Sequence, residues 1–259
     1  MTMFDRVQAE RPGVVIVGLG SLGSMLFSLL ARETLGPAWS WAGRVFLTDM
    51  DSVLPHNLVK SSIFSPRDVG RKKVAVCQSW SLGINPDLQV VALPQPVEDV
   101  ELAVFANSLV VFICADTYQG KMVASRQAWR AGVPLIMVGE MAGGDSQDSR
   151  CRWYHPGPEA PCQECNWDKE YHQLDTRFPC SPADPERRGP ATRLTVAART
   201  AAYMLEEAER QLLQDPCSHP AQEVRFHPAD GHTLRFYPKR NPDCLFDHNI
   251  LDRQSVVSL

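Results

Sequence analysis

Gly18, Gly20 and Gly23 stand between an apolar run, Val14-Val15-Ile16-Val17, and a stretch that suits a helix. Two such glycines let the backbone turn and come close to phosphates, and the third lets a helix pack tightly on its strand. The helix N-terminus then offers free N–H groups and partial positive charge to an anion. Asp49 closes the next apolar run, where a carboxylate can hold ribose hydroxyls. These features fit NAD, FAD or ATP alike. A further set of residues is more selective: Asp51 in Asp-Met-Asp-Ser-Val, Asn57 and Lys60 in Asn-Leu-Val-Lys, Lys73 after Asp68-Val69-Gly70, and Asp116 in Cys-Ala-Asp-Thr-Tyr. Cys162-x-x-Cys165 has the spacing of a structural zinc knuckle, and also that of a redox pair.

The elements that must position these residues alternate in type. Buried strands are expected at 14–18, 45–48, 89–93, 109–114 and 135–138, and helices at 21–34, 70–82, 97–106 and 119–131. That order predicts an α/β fold, a doubly wound, mostly parallel Rossmann-like sheet with helices on both faces. From His155 to Pro190 the chain carries seven prolines and three cysteines and loses its periodicity. A segment of that kind reads as a long functional loop. Residues 191–213 return to helix, and Val224–His227 with Thr233–Tyr237 read as an antiparallel hairpin about Asp230-Gly231. The whole of 1–259 is expected to be one domain.

Composition narrows the function. The chain has 259 residues, 44% hydrophobic and 22% charged, with a net charge of −4. No basic field exists to recruit nucleic acid. The apolar stretch 14–31 is interrupted by glycines and serines, which points to a buried strand and helix and not to a membrane span. The first residues lack the pattern of a secretory leader. Eight cysteines without such a leader indicate thiols or metal ligands in a reducing, cytoplasmic setting. Cys77 and Cys114 fall on a predicted helix and strand and are expected in the core. His155, His172 and His219 are expected to face solvent from loops, and Cys151 and Cys217 have no assignment.

Taken in order, these motifs resemble the E1-like activating enzymes, the family of ThiF, MoeB and the ubiquitin-activating enzymes, from about Val14 to His248. The resemblance implies adenylation of the C-terminal glycine of a ubiquitin-like, β-grasp protein. It implies that Asp49 holds the nucleotide ribose, that Asp51 is among the cofactor-binding residues, that Asn57 contacts phosphates, that Lys60 and Lys73 neutralise the triphosphate, and that Asp116 organises Mg²⁺. Lys60 stands where the family usually has arginine, and a lysine lacks the planar fork. Family members usually carry an N-terminal arm with an arginine that reaches the partner subunit; here Arg6 or Arg11 could substitute, although no motif marks either, or a partner protein could complete the site.

The family's second cysteine pair falls near Arg240-Asn241-Pro242-Asp243-Cys244, but position 247 is Asp. The resemblance therefore implies a structural Zn²⁺ held by Cys162, Cys165, Cys244 and His248, with Asp247 the alternative fourth ligand. It also implies that Cys180, in a crossover loop spanning 155–190, accepts the acyl group as a thioester, its thiolate favoured by Arg177, Arg187 and Arg188. Homodimerisation and transfer to an E2-like protein, as in compact bacterial conjugation systems, are implied by the same likeness. The alternatives are sulfur-carrier activation for thiamine or molybdenum cofactor synthesis, an NAD-dependent oxidoreductase, and a catalytically silent scaffold.

Overall fold

A computed structural model of the chain describes residues 12–37, 39–141, 147–167, 193–213, 219–228 and 231–250. Among these, eight strands form one sheet in the order β3-β2-β1-β4-β5-β6-β7-β8. They are β1 (Gly13–Val17), β2 (Arg44–Thr48), β3 (Gln89–Leu93), β4 (Ser108–Ile113), β5 (Leu135–Met141), β6 (Ser149–Tyr154), β7 (Ala221–His227) and β8 (His232–Phe236). The helices are α1 (Ser21–Glu33), α2 (Lys73–Leu82), α3 (Leu102–Ala106), α4 (Tyr118–Arg130) and α5 (Leu194–Leu213). β1 to β5 pair in parallel, and β6, β7 and β8 extend the sheet antiparallel.

β1 is buried on both faces because each face has its own core. Val14 and Ile16 enter one with Leu26, Leu30, Ala201 and Met204 from α1 and α5. Val15 and Val17 enter the other with Phe105, Ala124 and Trp129 from α3 and α4. Each such side chain stabilises the fold by about 1.5–3 kcal/mol relative to exposure. The chain runs β1 to β2 to β3 on one side, then returns to β4 on the other. The crevice between the carboxyl ends of β1 and β4 is therefore the switch point where open α/β sheets bind ligands.

Three local expectations change. The expected helix at 97–106 divides into a 3-10 turn, Val97–Asp99, and the short α3, separated by extended backbone at Val100 and Glu101. This break lets Val97, Val100 and Phe105 all reach the second core. The helix expected from residue 70 begins at Lys73, because Lys72 first bridges to Ser52 and Gly70 takes a left-handed φ of 89°. Residues 149–154, to which the sequence reading assigns no element, form β6, which pairs with β5 and β7 and holds Arg152 only 4% exposed. The hairpin about residues 230 and 231 is β7–β8, with β7 starting at Ala221.

Candidate nucleotide site and metal centre

Gly18 sits directly past β1 with φ 85°. A Cβ there would press on the backbone of Cys114 and Ala115, just past β4, so the glycine allows the two strand ends to meet. A Cβ on Gly23 would lie 1.8 Å from the Gly18 carbonyl oxygen, which is the tight helix-on-turn packing expected of the third glycine. Gly20 differs. A Cβ there would meet nothing within 4 Å. Packing does not require this glycine, and it borders open space at the head of α1, where no side chain caps the helix.

Asp49 ties the turn to the end of β2. Its Oδ2 accepts a 2.6 Å hydrogen bond from the Leu19 N–H, and its Oδ1 accepts one of 2.8 Å from the Asp51 N–H. Burial raises the Asp49 carboxyl above its ordinary value, although the Lys73 charge and both N–H donors oppose that. Lys73 opens α2, anchored by a 3.1 Å bond from its N–H to the Asp51 carbonyl. Its ammonium lies 2.8 Å from Asp51 Oδ2 and 3.7 Å from Asp49 Oδ2, and the residue is only 6% exposed. The late start of α2 creates this arrangement, since the Ser52–Lys72 bridge delivers Lys73 beside both aspartates.

Asn57 closes a short turn, Pro55–Asn57, and its Oδ1 accepts from the Leu54 N–H. Lys60 comes next, half-buried, its N–H bonded to the Asn57 carbonyl. Asp116 is exposed just beyond β4. The next residue, Thr117, caps α4 by accepting from the Gly120 N–H at 3.1 Å. Asp49, Asp51 and Lys73 thus form one contact group, with Gly18 and Asp116 at the neighbouring strand ends.

The second cluster joins residues from Cys162 to His248, distant in the chain. The ligand atoms of Cys162, Cys165, Cys244 and His248 all lie within 4.8 Å of one another. Cys162 Sγ is 3.8 Å from Cys165 Sγ and 3.6 Å from Cys244 Sγ, and Cys165 Sγ is 3.5 Å from His248 Nε2. Tetrahedral zinc with bonds of about 2.3 Å separates its sulfurs by about 3.8 Å, so the donor set fits. His248 Nδ1 lies 2.9 Å from the Ala160 carbonyl oxygen, which orients the ring and leaves Nε2 for the cluster. Asp247 is exposed and outside the group.

Residues 5–246 match the ThiF family. The chain belongs to the ThiF family. Among its ThiF-family relatives is the SAMP-activating enzyme E1 of Haloferax volcanii, 26% identical over 252 residues, covering 93% of this chain and 84% of that protein. The sulfur carrier protein ThiS adenylyltransferase of Escherichia coli is 29% identical over 156 residues, covering 60% of this chain and 57% of that protein. Ubiquitin-like modifier-activating enzyme 7 of Homo sapiens is 28% identical over 135 residues, half of this chain and 13% of that protein. The chain thus spans little more than half of the Escherichia coli relative and a small part of the human one. The fold is shared with E. coli MccB crystallised with ATP, at a TM-score of 0.67 and 20% identity, covering 94% of this chain and 68% of that one.

Other expectations sort themselves by position. Cys180, Cys217, Arg6, Arg11, His172 and the arginines at 177, 187 and 188 lie outside the described residues. Of the loop expected at 155–190, residues 155–167 are described and carry the cysteine knuckle. Cys77 and Cys114 pack in the first core, and burial pushes the Cys114 thiol up to about 12. Cys151 joins the same core from β6. His155 is half-buried and held by hydrogen bonds, where a solvent-facing ring was expected. It is wedged between the Pro134 carbonyl, 2.8 Å from Nδ1, and Gln211 Oε1, 2.9 Å from Nε2. His219 is exposed as expected and lies against Tyr237. No described helix is long and apolar enough to cross a membrane.

Sequence reasoning missed a charged network beside the site. Lys121, in the first turn of α4, donates to Glu140 at the end of β5 over 2.6 Å. Arg150 also donates to Glu140, and Arg152 to Glu223. Burial alone would raise the Glu140 carboxyl, but the charges of Lys121, Arg152 and Arg150 hold it at about 2. No periodicity signals such a network, because its partners come from four elements.

Proposed function

We propose that this ThiF-family chain uses Mg·ATP to adenylate the C-terminal glycine of a ubiquitin-like β-grasp protein, and that Cys180 then takes the acyl group as a thioester for an E2-like acceptor. The observation that carries the first step is the placement of Lys73 between Asp49 and Asp51, beside the Gly18 turn and the open space at Gly20. In this proposal the glycine carboxylate attacks the α-phosphorus of ATP. A new carboxylate–phosphorus bond forms, the bond to the bridging oxygen breaks, and pyrophosphate leaves with its charge.

Attacking group and target are both anions, so cations must screen them. Lys73 and Lys60 take that role, with Asn57 at the phosphates and the free N–H groups at the head of α1 beside them. Asp49 and Asp51 hold the ribose side. Asp116 would hold Mg²⁺, which supplies charge stabilisation when bound. In the second step the Cys180 thiolate attacks the acyl carbon and AMP departs. Cys162, Cys165, Cys244 and His248 would hold Zn²⁺ in a structural role, since four protein ligands leave no open position.

A second reading, activation of a sulfur carrier, is favoured by the match to the ThiS adenylyltransferase. It shares the adenylation step and differs only in the acceptor. Exchange of labelled pyrophosphate into ATP, measured with candidate glycine-terminated β-grasp proteins, tests the shared step. Exchange is expected with one of them and is lost in Asp116→Ala. Cys180→Ala keeps the exchange and loses a thiol-sensitive conjugate. If no β-grasp protein supports exchange, or the pocket takes a dinucleotide instead, the proposed activity is wrong.

A further inference from the structure

The antiparallel half of the sheet carries a cavity of about 510 Å³ that none of the nucleotide or metal residues lines. Arg150 and Arg152 from β6, Arg225 from β7 and Lys239 beyond β8 border it, together with the carboxylate of Glu223 and the ring of Phe236. The register explains the clustering. Arg150 pairs across the sheet with Arg225, and Arg152 with Glu223, so these side chains share one face. In a chain of net charge −4, this face is a local cationic excess.

Glu140 and Glu223 do not use up the guanidinium groups. Arg150 gives Nε to Glu140, Arg152 and Arg225 give theirs to Glu223, and Arg152 Nη2 also lies 3.6 Å from Glu140 Oε2. Arg152 is 4% exposed, and its Nη1 is buried without a hydrogen-bond partner among the described residues. An unsatisfied donor on a buried cation keeps part of that charge uncompensated at the base of the cavity.

A second cavity, of about 270 Å³, borders the same Arg150 and Arg225 and reaches Glu140 at the end of β5, with Asp148 facing His227 at its edge. The pair forms a track from Lys239 to Glu140, whose partner Lys121 lies in the helix that starts just after Asp116. Two cavities that share Arg150 and Arg225 suit an extended peptide better than a small free anion, and the Glu140 end lies at the carboxyl end of β5, the nucleotide side of the sheet.

We propose that this face binds an acidic side chain in the segment of the protein substrate that precedes its C-terminal glycine. The proposal rests on the adenylation reading above and specifies the substrate's chemistry: a tail with an Asp or Glu a few residues before its end. The carboxylate bonds Arg225 and Lys239, backed by the buried charge of Arg152, and the rest of the tail runs along the track toward the nucleotide.

The test is a calorimetric titration of the full chain, at low salt, with the blocked peptide acetyl-Gly-Asp-Gly-Asp-Gly-amide and its Asn counterpart. The Asp peptide is expected to bind at least tenfold more tightly, with affinity falling as salt rises. Arg225→Gln and Lys239→Gln, both at exposed positions, are expected to erase the preference while leaving ATP affinity unchanged. Equal binding of the two peptides, no binding of either, or a preference that survives in both variants overturns the proposal. So does displacement of the peptide by Mg·ATP, which would assign the cavity to the nucleotide. The titration involves no turnover, so its failure leaves adenylation to be decided separately by pyrophosphate exchange.

Discussion

Arg126 on α4 and Glu164 in the cysteine knuckle are joined by two parallel hydrogen bonds, Nε to Oε1 and Nη2 to Oε2, each 2.6 Å long. Glu164 is 2% exposed, so this planar fork is the main counter-charge to a buried carboxylate. Tyr118 at the head of the same helix meets Trp167 edge-on, and Trp129 near its end meets His248 and Phe246. The helix just past Asp116 is thus clamped along its length to the cluster of cysteines. Arg126→Met is expected to cost about 1.5–3 kcal/mol in chemical denaturation, in the range for hydrogen bonds to charged groups. The double variant Arg126→Met/Glu164→Leu should recover part of that loss, because no buried charge then lacks a partner. A double variant less stable than the single one would show that the pair does not act in this way.

Metal should matter to the same clamp. Elemental analysis is expected to find one zinc per chain, lost in Cys162→Ala. Removal by a chelator should lower Tm by about 5 °C or more, which is roughly 2 kcal/mol for a chain of this size. Metal binding to such a site is coupled to folding. A metal-free wild-type protein with an unchanged melting curve would refute the assignment.

Gly20 and Gly23 should behave oppositely when each gains a methyl group. Gly23→Ala places a carbon 1.8 Å from the Gly18 oxygen, so a loss of about 3 kcal/mol or more is expected. Gly20→Ala meets nothing in the fold, and its stability should change by no more than about 1 kcal/mol. If ATP approaches the turn as proposed, Gly20→Ala should nevertheless raise the KM for ATP at least tenfold. An unchanged KM would remove Gly20 from the nucleotide site.

The Glu140 network predicts a pH dependence with a definite sign. Its carboxyl is held at about 2 in the fold against 4.5 ordinarily. A carboxyl depressed by folding adds stability that is fully present above about pH 4.5 and is lost as pH falls toward 2. The contribution is on the order of 3 kcal/mol. Glu140→Gln should therefore be less stable than wild type at pH 7 and show a flatter stability profile between pH 5 and pH 3. Parallel profiles for the two proteins would show that another group governs the acid limb.

Much of the site is legible in the residues alone. Glycines between a strand and a helix have few physical uses, and Asp49 at a strand end needs only the strand to be placed. The cysteine and histidine set comes from the family likeness, and folding brings its four members together although their spacing spans most of the C-terminal half. The position of Lys73 is less readable. Helix periodicity continues back to residue 70, and only the bridge between Ser52 and Lys72 shows that α2 starts late enough to set Lys73 between two aspartates.

Local pattern determined the alternation of strands and helices, the glycine turn and the types of residue available for chemistry. Those depend on neighbours in the chain, where sterics and burial act at periods of two and 3.6. The tertiary structure alone decided which charges meet. In β6, Arg150 and Arg152 alternate with Cys151 and Trp153 as a solvent-facing side would, yet Arg152 is buried with Glu223, 71 residues away, and Arg126 finds Glu164 from another element. A buried ion pair satisfies each partner through the other, so neither half carries a signal that its own stretch of sequence can reveal.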